Sequence, residues 1–244
     1  YIYIFYYLKY GITNNNIENT IIDILNIIDG AFTILLIDNE KCYIFKDKYG
    51  IRPCTILKHI NNNIIHISSE SCVLDNYNDY FTTNIEPNTL YCIDYNSLNI
   101  NILHQNTYNT KQCIFEYLYF LNVNTINNNI STTNFRTQIG IKLAQQIEKE
   151  HIKLYNTFKN ENVIVCGVPK SGLLFSYGFS VYTNIKYEQF LDLKNNNDSL
   201  GGTNNNNHER TFILNSQEKR LKACKNKYEI KTNIENKIFI LIDD

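Results

Sequence analysis

Residues 237–244 read KIFILIDD, and they decide the fold of the second half of the chain. Five consecutive apolar residues are typical of a strand that is buried on both faces, as strands of parallel sheets are. A second run of this type, NVIVCGV at 162–168, leads through the turn PKSG at 169–172 into a helical stretch. The order strand, helix, strand predicts an α/β arrangement in which the two strands are parallel.

The segment before these strands predicts one more strand and a long helix. CIFEYLYF at 113–120 is a strand-like run. Residues 134–150 have helical periodicity, with Asn134 as the candidate N-cap. The apolar positions that recur every four residues are Phe135, Ile139, Leu143 and Ile147.

The first half of the chain has a different pattern of apolar and polar residues. Residues 17–28 predict an amphipathic helix that Gly30 ends. Short β-branched and aromatic runs follow, divided by polar turns, and they predict antiparallel sheets packed with the helix. The predicted strand regions are 31–38, 41–47, 54–60, 63–69, 89–95 and 98–104. The change of pattern predicts two domains with a boundary near residue 112.

Composition narrows the class of protein. The 244 residues are 43% hydrophobic, which is enough for a sizeable core, and the net charge of −1 argues against a nucleic-acid binder. No apolar run is long enough to span a bilayer, so no membrane partner is expected. Seven cysteines without CxxC pairs predict free thiols in a reducing, cytoplasmic compartment. The absence of methionine and the abrupt charged ending predict an internal fragment of a longer protein.

Each of the two predicted parallel strands is followed by residues that could bind a ligand. The turn 169–172 can offer backbone N–H groups and a helix N-terminus to an anion, and Asp243 with Asp244 can bind sugar hydroxyls or Mg²⁺ near a phosphate. Each feature also has an interpretation without a ligand. PKSG can be an ordinary strand-to-helix turn, and the aspartates can be the solvated end of a strand. At the carboxyl ends of two strands in one α/β unit, they favour a site for a phosphorylated sugar and its metal.

Short motifs along the chain resemble, in the same order, those of the glutamine phosphoribosylpyrophosphate amidotransferases. The resemblance covers almost the whole chain, and its specificity lies in the combination. The matching segments are DKYGIRP at 47–53, SSESCVLD at 68–75, IEPN at 85–88, CIFEYLYF at 113–120, Arg136 with Gly140 and Leu143-Ala144, VPKS at 168–171, RTFI at 210–213, Gln217, Arg220, and the strand into Asp243-Asp244.

This resemblance implies both fold and function. Residues 1–112 would be a glutamine amidotransferase type 2 domain of the N-terminal-nucleophile hydrolase fold (α+β), lacking its N-terminal part. Residues 113–244 would be an α/β type I phosphoribosyltransferase domain, lacking its C-terminal part. The whole protein would transfer glutamine-derived ammonia to phosphoribosyl diphosphate in the first committed step of purine synthesis, giving phosphoribosylamine, glutamate and diphosphate. Because the nucleophilic cysteine would lie upstream, the fragment has no catalytic residue of its own and should be inactive.

The resemblance also implies site residues and partners. Ser171 lies in the diphosphate loop, and Asp243 and Asp244 would face the ribose and Mg²⁺. Lys194 and Arg210 bracket a flexible loop that closes over substrate, and a homo-oligomer (tetramer or dimer) is expected. The implied substrate-binding residues are Lys170, Ser171, Gly172, Lys194, Arg210, Asp243 and Asp244, with Ser171, Asp243 and Asp244 as the Mg²⁺ ligands.

Some positions leave alternatives open. Cys113 is either a ligand of a [4Fe–4S] cluster or a packed thiol. Arg52 and Glu70 are interpreted as a structural ion pair rather than as catalytic residues. Lys170 replaces an acidic residue of the family turn, LNVN at 121–124 replaces ARPD, and an Asn-rich stretch lengthens the closing loop at 195–209. These departures keep two alternative functions in view: a phosphoribosyl-diphosphate-binding regulator or decayed pseudoenzyme, and more remotely a sugar-isomerising glutaminase.

Overall fold

A computed structural model describes most of the chain as two compact units, Tyr1–Thr132 and Thr133–Asp244. The described residues are Ile4, Tyr6, 8–11, 16–74, 77–106, 110–158, 162–194, 214–233 and 235–244. The units divide at 132/133, whereas the predicted domain boundary lies at 112/113. The first unit retains residues 113–132 because their side chains and backbone bind its loops, as Glu116 does with Arg52 at 2.5 Å. The assignment of each unit to a domain type stays a prediction.

The described part of the first unit contains a helix and two antiparallel sheets. Helix α1 is Ile17–Ile27, and Asn16 caps it by accepting a hydrogen bond from the Glu18 amide at 3.2 Å. The four-stranded sheet has the order β1-β2-β6-β7, and the three-stranded sheet has the order β4-β3-β5. The strands are β1 Thr33–Ile37, β2 Lys41–Lys46, β3 Thr55–His59, β4 Ile65–Ser68, β5 Tyr80–Asn84, β6 Thr89–Asp94 and β7 Ile100–Gln105.

Alternation along β2 explains how these layers pack. Tyr43 and Phe45 point into a core shared with Ile21 and Ile24 of α1. Cys42 and Ile44 belong to a second core, which also contains residues of the three-stranded sheet. Because successive side chains of a strand point to opposite faces, β2 is buried on both sides and the unit has a helix–sheet–sheet order. The six predicted strands and the predicted helix are all present, and β5 is an addition.

The strand predicted at 113–120 is wrong, because this segment is helical. Its last five residues form the π-helical turn Glu116–Phe120. Glu116 and Tyr117 are buried next to each other while Tyr119 and Phe120 are exposed, a pattern that fits a helical turn better than an alternating strand. A short hairpin follows, with strands β8 Ile126–Asn127 and β9 Ile130–Ser131.

The described part of the second unit centres on two parallel strands. β10 is Val163–Gly167 and β13 is Ile238–Ile242, and they pair in parallel register as the sequence predicts. The helix predicted over 134–150 begins two residues earlier, so Asn134 lies inside it and is not its cap. The remaining elements are α2 Thr132–Glu150, α3 Ile152–Thr157, α4 Leu173–Thr183, β11 Leu191–Leu193, α5 Gln217–Lys227 and β12 Tyr228–Ile230, of which β11 and β12 form an antiparallel pair.

Two glycines let helices α2 and α4 approach each other closely. A Cβ on Gly140 would lie 1.9 Å from the Phe175 carbonyl oxygen, and one on Gly178 would lie 2.0 Å from the Thr137 carbonyl oxygen. Only glycine fits at such backbone contacts. None of the helices within the described ranges has the length and apolarity that a membrane span requires.

Two lysines surround the Glu188 carboxylate in the second unit. The Glu188 carboxylate accepts hydrogen bonds from the Lys186 ammonium at 2.8 Å and from Lys237 at 3.1 and 3.2 Å. These bonds, from Lys186 first and Lys237 second, lower the pKa of Glu188 from 4.5 to about 2. A carboxyl whose folded pKa is depressed stabilises the fold above its unfolded pKa, and that contribution disappears as the pH falls toward the folded pKa.

We therefore expect Glu188→Gln to lower the unfolding midpoint at neutral pH and to lose its effect as the pH falls from about 4.5 toward about 2. Denaturant titrations of both proteins across this range measure the difference. Glu235→Gln, at an exposed position of the same unit, is the control. A difference between Glu188→Gln and wild type that stays constant with pH would contradict the assignment.

Candidate functional site

The carboxyl ends of β10 and β13 bring two of the predicted features together. Gly167 pairs with Ile242, so the loop 168–172 and the pair Asp243-Asp244 leave the sheet at the same edge. The Ser171 hydroxyl donates a hydrogen bond to Oδ1 of Asp243 at 3.0 Å. The predicted loop and the predicted carboxylates therefore share one surface of the second unit.

The loop is held against β13 by its backbone. The Val168 amide donates to the Ile242 carbonyl at 2.9 Å, and the Gly172 amide donates to the Val168 carbonyl at 2.8 Å. The peptide bond between Pro169 and Lys170 is cis. A Cβ on Gly172 would lie 2.1 Å from the Ile242 carbonyl oxygen, so the loop reaches this position only with glycine there.

The same loop leads into the N-terminus of helix α4. Gly172 is the N-cap, and no side chain caps it. The Ser176 amide makes a hydrogen bond to the Gly172 carbonyl at 2.9 Å, so the amides of the first turn before it have no acceptor within the helix. The positive end of the helix dipole lies here, and such a terminus can bind an anion.

The carboxylates supply negative charge and hard oxygen ligands beside this positive end. Partial desolvation, followed by the neighbouring charge of Asp243, raises the pKa of the Asp244 carboxyl above its usual range. Across the described residues, no group of three or more histidine, cysteine or acidic side chains is placed to hold a metal. Mg²⁺ commonly binds one or two carboxylates and completes its shell with water and substrate phosphates. The donor set of Ser171, Asp243 and Asp244 fits a Mg²⁺ ion that arrives with a phosphorylated ligand.

The other predicted substrate-binding residues lie in three different settings. Lys170 is exposed in the loop itself. The Lys194 ammonium donates to the Lys225 carbonyl at 2.6 Å, at the C-terminal end of α5, where a cation is favourable. Arg210 and the Asn-rich stretch 195–209 lie outside the described residues.

Cys113 does not find cluster partners in the part of the chain that the structure describes. Its thiol is free and half-buried, and the ranges described contain no suitable group of three ligand side chains. A [4Fe–4S] cluster needs four cysteine thiolates in most proteins. The described residues supply one thiol at this position, so both alternatives for Cys113, a cluster ligand or a packed thiol, stay predictions.

The predicted ion pair between Arg52 and Glu70 is wrong. The Arg52 guanidinium binds Glu116 at 2.5 Å. Glu70 instead accepts hydrogen bonds from the Asn122 amide at 2.7 Å and the Thr125 hydroxyl at 2.5 Å, which fastens the turn after the π-helical segment. Glu116 is buried, and burial raises its pKa despite the opposing effect of Arg52. Both acids therefore have partners within the first unit, but Arg52 and Glu70 do not pair with each other.

The first unit also contains a cavity of about 730 Å³ near these residues. Its wall includes Arg52, Cys54, Glu70 and Glu116. Burial raises the pKa of the Cys54 thiol, which disfavours the thiolate needed for nucleophilic attack. Cys54 is therefore not an activated nucleophile in this structure.

Comparison with known proteins shows what the chain resembles. No family model matches it. It is 30% identical over 233 residues to an amidophosphoribosyltransferase of Methanocaldococcus jannaschii, covering 88% of this chain and 44% of that protein. It is 29% identical over 238 residues to the amidophosphoribosyltransferase of Mycobacterium tuberculosis, covering 97% of this chain and 40% of that protein. The chain thus spans less than half the length of these curated relatives.

Solved structures show the same fold. A glutamine phosphoribosylpyrophosphate amidotransferase from B. subtilis, complexed with ADP and GMP, superposes with a TM-score of 0.72 at 24% identity, covering 97% of this chain and 47% of that one. The structure of an allosteric regulatory enzyme of purine biosynthesis gives the same TM-score of 0.72, covering 46% of its own length.

Proposed function

From the premise that the chain is a relative of the amidophosphoribosyltransferases over the part it shares with them, we propose that its second unit binds Mg²⁺–phosphoribosyl diphosphate. The complete protein would use this site to transfer glutamine-derived ammonia to phosphoribosyl diphosphate. The products would be 5-phosphoribosylamine, glutamate and diphosphate. The first unit would be part of a glutamine amidotransferase domain of the N-terminal-nucleophile fold, and the second part of a type I phosphoribosyltransferase domain.

The observation that carries this proposal is the hydrogen bond from Ser171 to Asp243 at 3.0 Å. It joins an amide-rich loop, which suits a diphosphate, to a carboxylate pair, which suits ribose hydroxyls. A sugar that carries a diphosphate can contact the loop and the carboxylates at the same time. Neither an anion alone nor a neutral sugar alone would use both ends.

Each group has a definite task in this proposal. The first-turn amides of α4 and the loop backbone bind diphosphate oxygens, which charge-assisted hydrogen bonds favour. Asp243 and Asp244 accept hydrogen bonds from the ribose hydroxyls and orient the ring, so that its C1 is presented to ammonia. Lys170 adds a cation near the diphosphate. Mg²⁺, when bound through Ser171, Asp243 and Asp244, would neutralise charge on the leaving diphosphate.

An assay of the complete protein encoded by the reading frame tests the proposal. We expect glutamate and diphosphate to appear in equal amounts when glutamine, phosphoribosyl diphosphate and Mg²⁺ are all present, and diphosphate release to stop when the metal is chelated. Calorimetry measures binding of phosphoribosyl diphosphate with and without Mg²⁺. Binding without turnover would instead support a non-enzymatic regulator or pseudoenzyme, and no Mg²⁺-dependent binding would refute the site.

A further inference from the structure

The end of β10 is held by a side chain that no motif includes. The Gly167 amide donates to Oε1 of Gln189 at 3.2 Å, and Nε2 of Gln189 donates to the Gly167 carbonyl at 2.8 Å. Both backbone groups of the residue directly before the loop 168–172 are therefore bound by one side chain. The Tyr187 hydroxyl donates to the same Oε1 at 2.9 Å and orients the amide.

On the side of β10 away from β13, the side chain of Gln189 takes the position of a strand partner for Gly167. On one side of β10, Gly167 pairs with Ile242 of β13. On the other side, Val165 forms a parallel bridge with Tyr187, and the Glu188 amide donates to the Val165 carbonyl at 3.0 Å. Beyond that bridge, Gln189 supplies a side-chain amide that carries one acceptor and donors in the geometry of a peptide group. The backbone N–H and C=O of Gly167 thereby obtain the hydrogen-bond partners that buried backbone groups require.

Gln189 also reaches forward to the next strand. Its Nε2 donates to the Leu191 carbonyl at 2.6 Å, at the first residue of β11. β11 ends at Leu193, and Lys194 follows it directly before the Asn-rich stretch. One half-buried side chain therefore connects the strand end that carries the anion loop with the segment that leads into the predicted closing loop.

We propose that Gln189 is a positioning residue for diphosphate binding, which couples the loop 168–172 to the segment 191–194. It does so through Gly167 and Leu191, without touching the ligand. This inference rests on the proposed function of the loop 168–172. Losing the amide frees the two segments to move independently, so affinity for the diphosphate group falls while the glutamine reaction is spared.

The test compares Gln189→Leu, which keeps the size but removes all four hydrogen bonds of the side-chain amide, with wild type in the complete protein. We expect Gln189→Leu to raise the Kd for Mg²⁺–phosphoribosyl diphosphate about tenfold or more by calorimetry, with an unchanged KM for glutamine in the glutaminase assay. Hydrogen exchange should accelerate in both 167–172 and 191–194. Gln146→Leu, at an exposed position of α2 in the same unit, is the matched control and should match wild type in every measurement.

A second variant separates positioning from simple loss of fold. Gln189→Glu keeps the shape and can accept from the Gly167 amide, but its carboxylate faces the carbonyls of Gly167 and Leu191. When protonated, this side chain regains a donor. We expect the ratio of the Kd of Gln189→Glu to that of wild type to decrease as the pH falls. A variant that is merely misfolded would not show this change.

The outcomes are distinguishable. Wild-type affinity in Gln189→Leu, or an equal loss of glutaminase and diphosphate affinity, overturns the positioning role. If wild type itself does not bind Mg²⁺–phosphoribosyl diphosphate, the proposed function fails. The coupling is then judged by hydrogen exchange alone, and it is refuted if Gln189→Leu leaves the exchange of either segment unchanged.

Discussion

Replacing Asp243 and Asp244 together by asparagine is expected to weaken binding of Mg²⁺–phosphoribosyl diphosphate to the complete protein about 10²- to 10⁴-fold. In the proposed site each carboxylate would accept a charge-assisted hydrogen bond from the ribose, and hydrogen bonds of charged groups are worth about 1.5–3 kcal/mol. Asparagine keeps the size of the side chain but removes the negative charge. Diphosphate release should therefore nearly vanish, while part of the glutaminase activity remains because that reaction uses other residues.

Calorimetry and a diphosphate-release assay measure this effect, and Glu235→Gln, which also removes one carboxylate charge from the second unit, provides the control. Glu235 is exposed and lies outside both the loop 168–172 and the segment 191–194. We expect the Glu235→Gln variant to bind and react as wild type does. A double variant at 243 and 244 that keeps the full synthetic rate would remove these carboxylates from the site.

The sequence predicts most of the strands and helices because their patterns of apolar residues are strong. The continuous apolar run of β13 identifies a parallel strand, but the predicted burial on both faces is wrong, since Ile238 and Leu241 are exposed. The alternating residues of β2 contribute to two cores. The sequence does not predict β5 because its run, YFTTN, is short and mostly polar, and its pairing with β3 depends on contacts distant in sequence. The strand prediction for 113–120 fails because a short apolar run fits a strand and a helical turn equally well.

Part of the candidate site could also be predicted from the sequence. The residues at the ends of β10 and β13 follow from the rule that parallel strands present their carboxyl ends at one edge. The hydrogen bond between Ser171 and Asp243 agrees with that prediction of proximity. Gln189 carries no such signal, since a glutamine between Glu188 and Phe190 looks like any polar residue of a loop. Its contacts depend on where the chain diverges from β10, which only the tertiary structure shows.

Substituting alanine for Gly172 is expected to damage both the stability and the site of the second unit. Gly172 has a φ of −71°, which any residue can adopt, so backbone preference does not require glycine here. The constraint is space, since an added Cβ would lie 2.1 Å from the Ile242 carbonyl oxygen and 2.7 Å from the Val168 amide nitrogen. Both neighbours are backbone atoms of the strand and loop, so neither can rotate away.

Overpacking of this kind costs about 1–3 kcal/mol. Part of that cost can be relieved only if the loop moves away from β13, which would separate Ser171 from Asp243. We therefore expect Gly172→Ala to accelerate hydrogen exchange over 163–172 and to weaken Mg²⁺–phosphoribosyl diphosphate binding about tenfold or more. Ser171→Ala is the companion variant, because it removes the hydroxyl contact without adding bulk against β13 and should leave the exchange of β10 unchanged. If Gly172→Ala retains wild-type exchange and affinity, the close approach of the loop to β13 is not what shapes the site.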